Sequence, residues 1–391
     1  VTWTTAPLSK IATIERNSIS PADIKSGSRY VGLDHIESGG GSIRFGSVEN
    51  GELASNKFRF GPNHILFGKL RPYLAKVVCP DFVGICSTDI MPIMPSKHVD
   101  KRYLLHFLRR PETIAWAAGR ATGVNLPRLS PKELASLEIP HPRLEEQQHI
   151  AAILDKADAL RHKRKRAIDL LGNLTQSIFL GMFGDLVESC AYPRGTVSDW
   201  VADFDTGKNL APDPDARQIN GYRVLKVSAV TKGIFLPDES KPLPIGYEPP
   251  TSHIIKKGDL LFSRANTAEL IGATAYVESA HHKLVLPDKI WRFVWREKNS
   301  PNPRFVHALF STPSFRRALT MRASGTSGSM KNISKPKVLG IEIALPSRKQ
   351  QDEFGDRYLV IQNNMSTSIL QAAMLEDQFS SLQSRAFSGQ L

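Results

Sequence analysis

The sequence predicts an α+β protein built from two tandem copies of one unit, a globular domain followed by a long helix. Three observations carry this reading: an internal repeat, two helical stretches with sustained heptad spacing, and positive charge confined to two segments. The chain has 391 residues, more than one ordinary core accommodates, so two or three domains are expected.

The repeat is found by aligning the chain with itself. "YLLHFLRRPETIAWAAGRATG" (Tyr103–Gly123) lies without gaps against "FVHALFSTPSFRRALTMRASG" (Phe305–Gly325), an offset of 202. Pro111 and Pro313 coincide, as do Arg120 and Arg322, Ala121 and Ala323, and Gly123 and Gly325, with Thr122 against Ser324. "ILFGKLR" (Ile65–Arg71) matches "LLFSRAN" (Leu260–Asn266), and "LSPKELASLEIPHP" (Leu129–Pro142) matches "ISKPKVLGIEIALP" (Ile333–Pro346). Gln147-Gln148 then lies against Gln350-Gln351. Each match is faint, but all recur in one order with offsets of about 190 to 204.

Within each copy the early part reads as strands. "HILFGKL", "VGICSTDIMPIMP" and "HKLVLPDKIWRFVWR" are β-branched or aromatic runs bounded by Gly and Pro. Residues 101–118 and 303–322 read as helices interrupted by their prolines. The Gly/Ser/Thr-rich loops "RATGVNLPR" and "RASGTSGSMKN" follow them.

Two long helices come next. In the first, Ile150, Ile153, Ala157, Leu160, Arg164, Ala167, Leu171, Leu174 and Ile178 keep alternating 3-4 spacing. In the second, Phe354, Tyr358, Ile361, Met365, Ser368, Ala372, Leu375, Phe379 and Leu382 do the same. Such spacing predicts a coiled-coil seam. A covering helix of ~36 residues would run ~54 Å at 1.5 Å per residue, more than a small domain needs. Antiparallel pairing would set the two domains at opposite ends of a rod, a ruler suited to two sites about one DNA turn apart. Leu154, Ile168, Phe179, Ile369 and Met374 fall off the seam, so further helices from a partner protein are expected on the rod. The basic run "RHKRKR" (Arg161–Arg166) has Asp155, Asp158 and Asp169 nearby and reads as a solvated or partner-facing surface.

The formal charge is +13. Residues 1–144 carry 19 Lys/Arg against 12 Asp/Glu, and residues 186–348 carry 23 against 15. The helical segments 145–185 and 349–391 come to 0 and −2. Two basic lobes on near-neutral spacers point to a polyanion met at two places.

Catalytic signatures are missing. There is no P-loop, no G-x-G-x-x-G after a strand, and no Asn/Asp-Pro-Pro-aromatic tetrapeptide; "YEPPTS" (Tyr247–Ser252) lacks both the amide and the following aromatic. "PDESK" (Pro237–Lys241) reads as a turn, and the histidines show no metal-ligand spacing. No catalytic residue, metal or cofactor is expected. Cys79, Cys86 and Cys190 are too few for a disulfide framework and read as buried thiols of a reducing compartment. No apolar run reaches a membrane span of ~18 residues, and the opening residues lack a signal-peptide pattern, so a cytoplasmic protein with no membrane partner is expected.

These features together resemble the DNA-specificity subunits of type I restriction–modification systems, over essentially the whole chain. The central "LEIPHPRLEEQQHIAAILDKADAL" is the most specific part, supported by "IEIALPSRKQQDEF" after the second domain. The second copy departs from the pattern, since "QQDEFGDRYLVIQ" lacks the alanines and the Leu-Asp pair. The resemblance implies target-recognition domains at 1–144 and 186–348 and conserved spacer helices at 145–185 and 349–391. Each domain would read one half of a split site on double-stranded DNA. The helices would set the gap and dock two methyltransferase subunits and the restriction subunits, which hold all catalysis: adenine methylation with S-adenosylmethionine and ATP-dependent cleavage.

Polar and basic residues of the matched loops are the candidate DNA contacts. In the first copy these are Lys69, Arg71, Arg120, Thr122, Asn125 and Arg128. In the second they are Ser263, Arg264, Asn266, Arg322, Ser324, Ser327, Lys331 and Asn332. Arg and Lys hold phosphate or a guanine edge, and Asn pairs with adenine. Residues shared by both copies cannot explain two different half-sites, so Arg120, Arg322, Gly123 and Gly325 read as loop formers or phosphate contacts. Unshared Asn125, Arg128 and Lys331 are the better base readers. Candidate seam and partner residues are Ile150, Ile153, Leu154, Leu160, Ile168, Leu171, Leu174, Ile361, Met365, Leu375 and Phe379.

Overall fold

The computed structural model describes residues 3–49, 51–189, 191–209, 221–244, 246–325 and 330–391. It is a mixed helix and sheet protein of two compact units, Val1–Ala167 with Ser368–Leu391, and Ile168–Thr367. Two helices of 40 residues, Leu144–Phe183 and Arg348–Phe387, each contribute one part to either unit.

The unit holding the chain's beginning contains a four-stranded sheet in the order Ala12–Ile14, Ile90–Pro95, Ile65–Gly68, Val77–Val78. A five-stranded sheet runs Ser18–Ile19, Lys57–Phe60, Gly84–Cys86, Ser28–Val31, Gly46–Val48. Two short helices follow, Lys101–Leu108 and Pro111–Gly119, and the proline that breaks the pattern is the first residue of the second. There its missing N–H costs nothing. The Asp100 carboxylate accepts from the Tyr103 N–H and caps the first helix. Tyr103, Leu104, Leu105, Phe107 and Leu108 are all buried against Leu8, Ile65, Phe67 and Ile93.

The same short helix carries the long ones. Along Lys101–Leu108, Asp100 meets Gln147 and His106 meets Asp155, so the first long helix rises with it. Tyr103 packs on Phe387 and His106 on Phe379, so the second long helix descends. Within this unit, therefore, 144–167 and 368–391 run antiparallel. Arg161 ties them, donating to the Glu376 carboxylate at 2.8 and 2.5 Å with its guanidinium over the Phe379 ring. Lys165 reaches Glu37 at 2.6 Å. The basic run is thus partly a clamp and not only a solvated face.

A buried glutamine opens each long helix. Gln147 accepts from the Asp100 N–H at 2.9 Å and donates to the Pro142 carbonyl at 2.9 Å. Gln351 accepts from the Asn302 N–H at 2.9 Å and donates to the Pro346 carbonyl at 3.0 Å. Gln147 therefore corresponds to Gln351, one residue out of step with the match of the two Gln-Gln pairs.

The unit Ile168–Thr367 has a four-stranded sheet ordered Val201–Thr206, Ile290–Trp295, Leu260–Ser263, Thr274–Tyr276. Helices Pro303–Ser311 and Pro313–Arg322 again part at a proline. Its core is aromatic: Phe179 and Phe183 of the first long helix, Phe354 and Tyr358 of the second, and Phe305, Phe204, Phe262, Trp200 and Trp291. The last turns of one long helix meet the first turns of the other through Phe179 and Phe354, ring centroids 5.3 Å apart.

One buried group makes this unit acid-sensitive. His307 hydrogen-bonds the Thr274 hydroxyl at 2.8 Å, and burial pushes its imidazole down to about 4. Because the folded value lies below the ordinary 6.5, the unfolded chain takes up a proton first as pH falls. The unit then loses about 1.4 kcal/mol per pH unit between pH 6.5 and 4, and is unaffected above that window. His307→Gln is expected to flatten the change in urea midpoint between pH 7 and 5; an identical change in both proteins contradicts this.

The helical face differs from the expected seam. Leu160 and Leu174 are 54% and 44% exposed. Leu154 and Phe179, assigned to a partner protein, are fully buried in their own units' cores. Both ends of the helix form walls of globular cores, and over its first turns the inward face (Gln147, Ile150, Ala151, Leu154, Asp158) follows the 3.6-residue period of a helix packed on a domain. Ile361 and Phe379 are buried, while Ile153, Ile168, Leu171, Met365 and Leu375 are half-buried. Ile369 and Met374 stay exposed.

Candidate nucleic-acid interface

In the first unit, the candidate residues converge where strand Ile65–Gly68 ends. Lys69 donates its N–H to the Asp89 carbonyl, and its own carbonyl accepts from the Leu129 N–H, both at 2.9 Å. Thr122 and Arg128 exchange backbone hydrogen bonds of 3.0 and 2.9 Å, closing a small hairpin. Its tip presents Asn125, exposed. Gly123 stands there at φ +110°, and a Cβ would come 3.1 Å from the Leu126 carbonyl oxygen. That position needs glycine for its backbone.

Asp89 organises the cations. Its carboxylate accepts from the Arg128 Nε at 2.9 Å and lies 3.9 Å from the Lys69 ammonium. The hydrogen bond to Asp89 raises the Arg128 guanidinium above its ordinary value. Arg120 stacks 4.5 Å over the Trp116 ring and lies 3.7 Å from the Glu133 carboxylate. Arg71 is exposed, with φ +50° and its N–H on the Pro127 carbonyl at 2.8 Å.

The second unit repeats the construction with other side chains. The Arg264 N–H donates to the Lys289 carbonyl, and the Arg264 carbonyl accepts from the Ile333 N–H. Ser324 and Asn332 exchange backbone hydrogen bonds, both 2.8 Å, and Gly325 sits at φ +142°. Asn266 pairs with Lys331 across a two-residue ladder, and the Lys331 ammonium reaches the Gly325 carbonyl at 2.9 Å. Arg264 donates through Nε to the Asp288 carbonyl at 2.9 Å and lies 3.9 Å from its carboxylate. Arg322 is half-buried and donates to the Ala318 carbonyl at 3.2 Å, which fits a loop former. Ser327 lies outside the described residues.

One candidate is corrected. Ser263 is completely buried, its hydroxyl accepting from the Asn266 side chain at 3.4 Å. It ends strand Leu260–Ser263, every residue of which is buried, so it cannot touch a ligand.

Sequence reasoning missed the acidic organisers Asp89 and Asp288. Each stands just ahead of a strand, in "TDI" and "PDKI", a position that by itself marks no ion pair. Among the described residues no three His, Cys, Asp or Glu are close enough to hold a metal ion, and no helix is long and apolar enough to cross a membrane.

Residues 1–170 match the family model of the type I restriction modification DNA specificity domain. The chain is 28% identical over 186 residues to the type I restriction enzyme EcoDI specificity subunit of Escherichia coli, covering 46% of this chain and 41% of that protein. It is 22% identical over 383 residues to the EcoKI specificity subunit of Escherichia coli K12, covering 90% of this chain and 80% of that one. The fold is shared with the type I restriction–modification S subunit from M. genitalium, with a TM-score of 0.59 at 13% identity, over 99% of this chain and 96% of that one. The solved structure shares the fold alone, and the sequence matches are to DNA-specificity subunits. The family-model match, over 170 of the 391 residues, and these relatives all indicate a type I restriction–modification specificity subunit.

Proposed function

We propose that this chain reads a split target on double-stranded DNA, one half through each basic domain (1–144 and 186–348). The spacer segments 145–185 and 349–391 pair as an antiparallel coiled coil that fixes the gap. They dock methyltransferase subunits, two per chain, and restriction subunits. The chain itself is non-catalytic, takes no cofactor and works in the cytoplasm; the methyl donor and ATP belong to its partners.

The carrying observation is the pair of matched backbone closures, Thr122 with Arg128 and Ser324 with Asn332, each beside a strand end where an aspartate meets an arginine, with different side chains around the two. A common frame holds the backbone alike, while Asn125 and Arg128 on one side and Lys331 and Asn332 on the other supply different donors. Arg71, Arg120 and Arg264 are placed to grip phosphate.

The test is selection of bound duplexes from a random library by the purified chain, alone and co-expressed with the products of neighbouring genes. Two short enriched elements at a fixed gap, with affinity falling steeply as salt rises, are expected. Equal binding of all duplexes, preference for RNA, or nicking and methyl transfer by the chain alone would each contradict it.

A further inference from the structure

Two exposed uncharged features stand among the cations of the first unit, and neither is used by the reading above. Val124, at the tip of the hairpin closed by Thr122 and Arg128, is wholly exposed, and Leu126 beside it is also exposed. Tyr73 is 56% exposed on the turn Pro72–Leu74. The residues flanking that turn, Arg71 and Ala75, are the two non-glycine positions with positive φ among the described residues, each at +50°. Such backbone is held only where its surroundings enforce it. Here the enforcement includes the hairpin itself, through the Arg71 N–H on the Pro127 carbonyl. Turn and hairpin are therefore one braced element with an aromatic and an aliphatic group in water.

Its surroundings choose the occupant. Lys69, Arg71, Arg120 and Arg128 stand around this element against two carboxylates, Asp89 and Glu133. An apolar protein surface would strip water from that cationic rim without compensating it, whereas a duplex offers phosphates to the rim and uncharged base surface to the tip. The second unit supplies an independent instance. The loop between its paired strands is closed by the Ser263 N–H on the Ala273 carbonyl, as the Gly68 N–H on the Lys76 carbonyl closes the first. It presents exposed Leu270, with exposed Met330 on the neighbouring hairpin. Helix Pro313–Arg322 braces that loop, Arg316 donating to the Glu269 carbonyl and Thr320 to the Ala268 carbonyl.

We infer that Tyr73, Val124 and Leu126 form an apolar reading tip that enters a groove of the first half-site and contacts bases directly beside Asn125 and Arg128, while Lys69, Arg71 and Arg120 anchor phosphate. Leu270 and Met330 do the same for the second half-site. This rests on the DNA-reading function proposed above and adds the groups that discriminate bases. Neutral contacts to base surface distinguish sequences without releasing counterions, so their loss changes specificity and leaves the salt dependence alone.

The experiment measures binding of the full chain to its selected duplex and to the same duplex with the first half scrambled, across a salt series. Tyr73→Ala and Val124→Ser are each expected to reduce the preference for the selected duplex about tenfold. The slope against salt and the affinity for the scrambled duplex stay unchanged, and Tyr73→Phe keeps the preference. Should Tyr73→Ala unfold, Val124→Ser decides, because its side chain touches only solvent. Unchanged preference in both variants, or equal loss on both duplexes, overturns the inference while the two-domain reading stands. A wild-type chain that fails to distinguish the duplexes overturns both.

Discussion

Phe179→Ala is expected to lower the stability of the Ile168–Thr367 unit by about 3–5 kcal/mol. Phe179 is fully buried, and its ring lies 5.1 to 5.4 Å from those of Phe183, Phe305 and Phe354. Removing it leaves a cavity at the point where the first long helix, the second long helix and the short helix Pro303–Ser311 meet. Three rigid walls cannot all collapse into that space, which places the cost at the upper end for a phenylalanine. Denaturant unfolding should show a lower midpoint for this unit, and the preference for the second half of the target should fall with it. A loss below about 1 kcal/mol would mean that the helix is not part of the core.

Asp155→Asn is expected to destabilise the other unit by about 2–3 kcal/mol, the usual cost of orphaning a buried cation reduced because this site is partly open to water. Asp155 accepts from Arg102 at 2.6 and 3.0 Å and from His106, itself 1% exposed, at 2.7 Å. Burial pushes the carboxyl up, but the hydrogen bonds from His106 and Arg102 outweigh it and hold the group well below the usual carboxylate range. Its folded value lies below its unfolded one, so the contribution is complete above about pH 4 and is lost as pH falls further. The variant should therefore be weaker near neutrality and show a shallower decline below pH 4. Equal stability at pH 7 would show that the ion pair does not fasten the helix.

Much of this was legible in the chain itself. The repeat located both hairpins because a shared backbone demands shared residues. Gly123 and Gly325 adopt positive φ, and Pro111 and Pro313 open the second short helices, so those positions recur. The basic excess and the missing catalytic motifs pointed to a nucleic-acid reader. What escaped is what depends on burial. A heptad pattern looks the same whether its stripe faces another helix or a globular core, so Leu154 and Phe179 went to a partner and Leu160 to a seam. Ser263 ends a strand whose neighbours bury it, which spacing alone does not reveal. Asp89 and Asp288 act by their position beside cations distant in sequence, and no local pattern marks such pairs.

The central claim is that one chain reads two half-sites at a set distance. Its most direct test is co-expression with the neighbouring genes, followed by sequencing of the host DNA for modified adenines. The predicted result is a split motif of two short elements with a fixed gap, in which changing Asn125 alters one element only and changing Lys331 alters the other only. A continuous motif, or one whose two halves both change with a single substitution, would contradict the account.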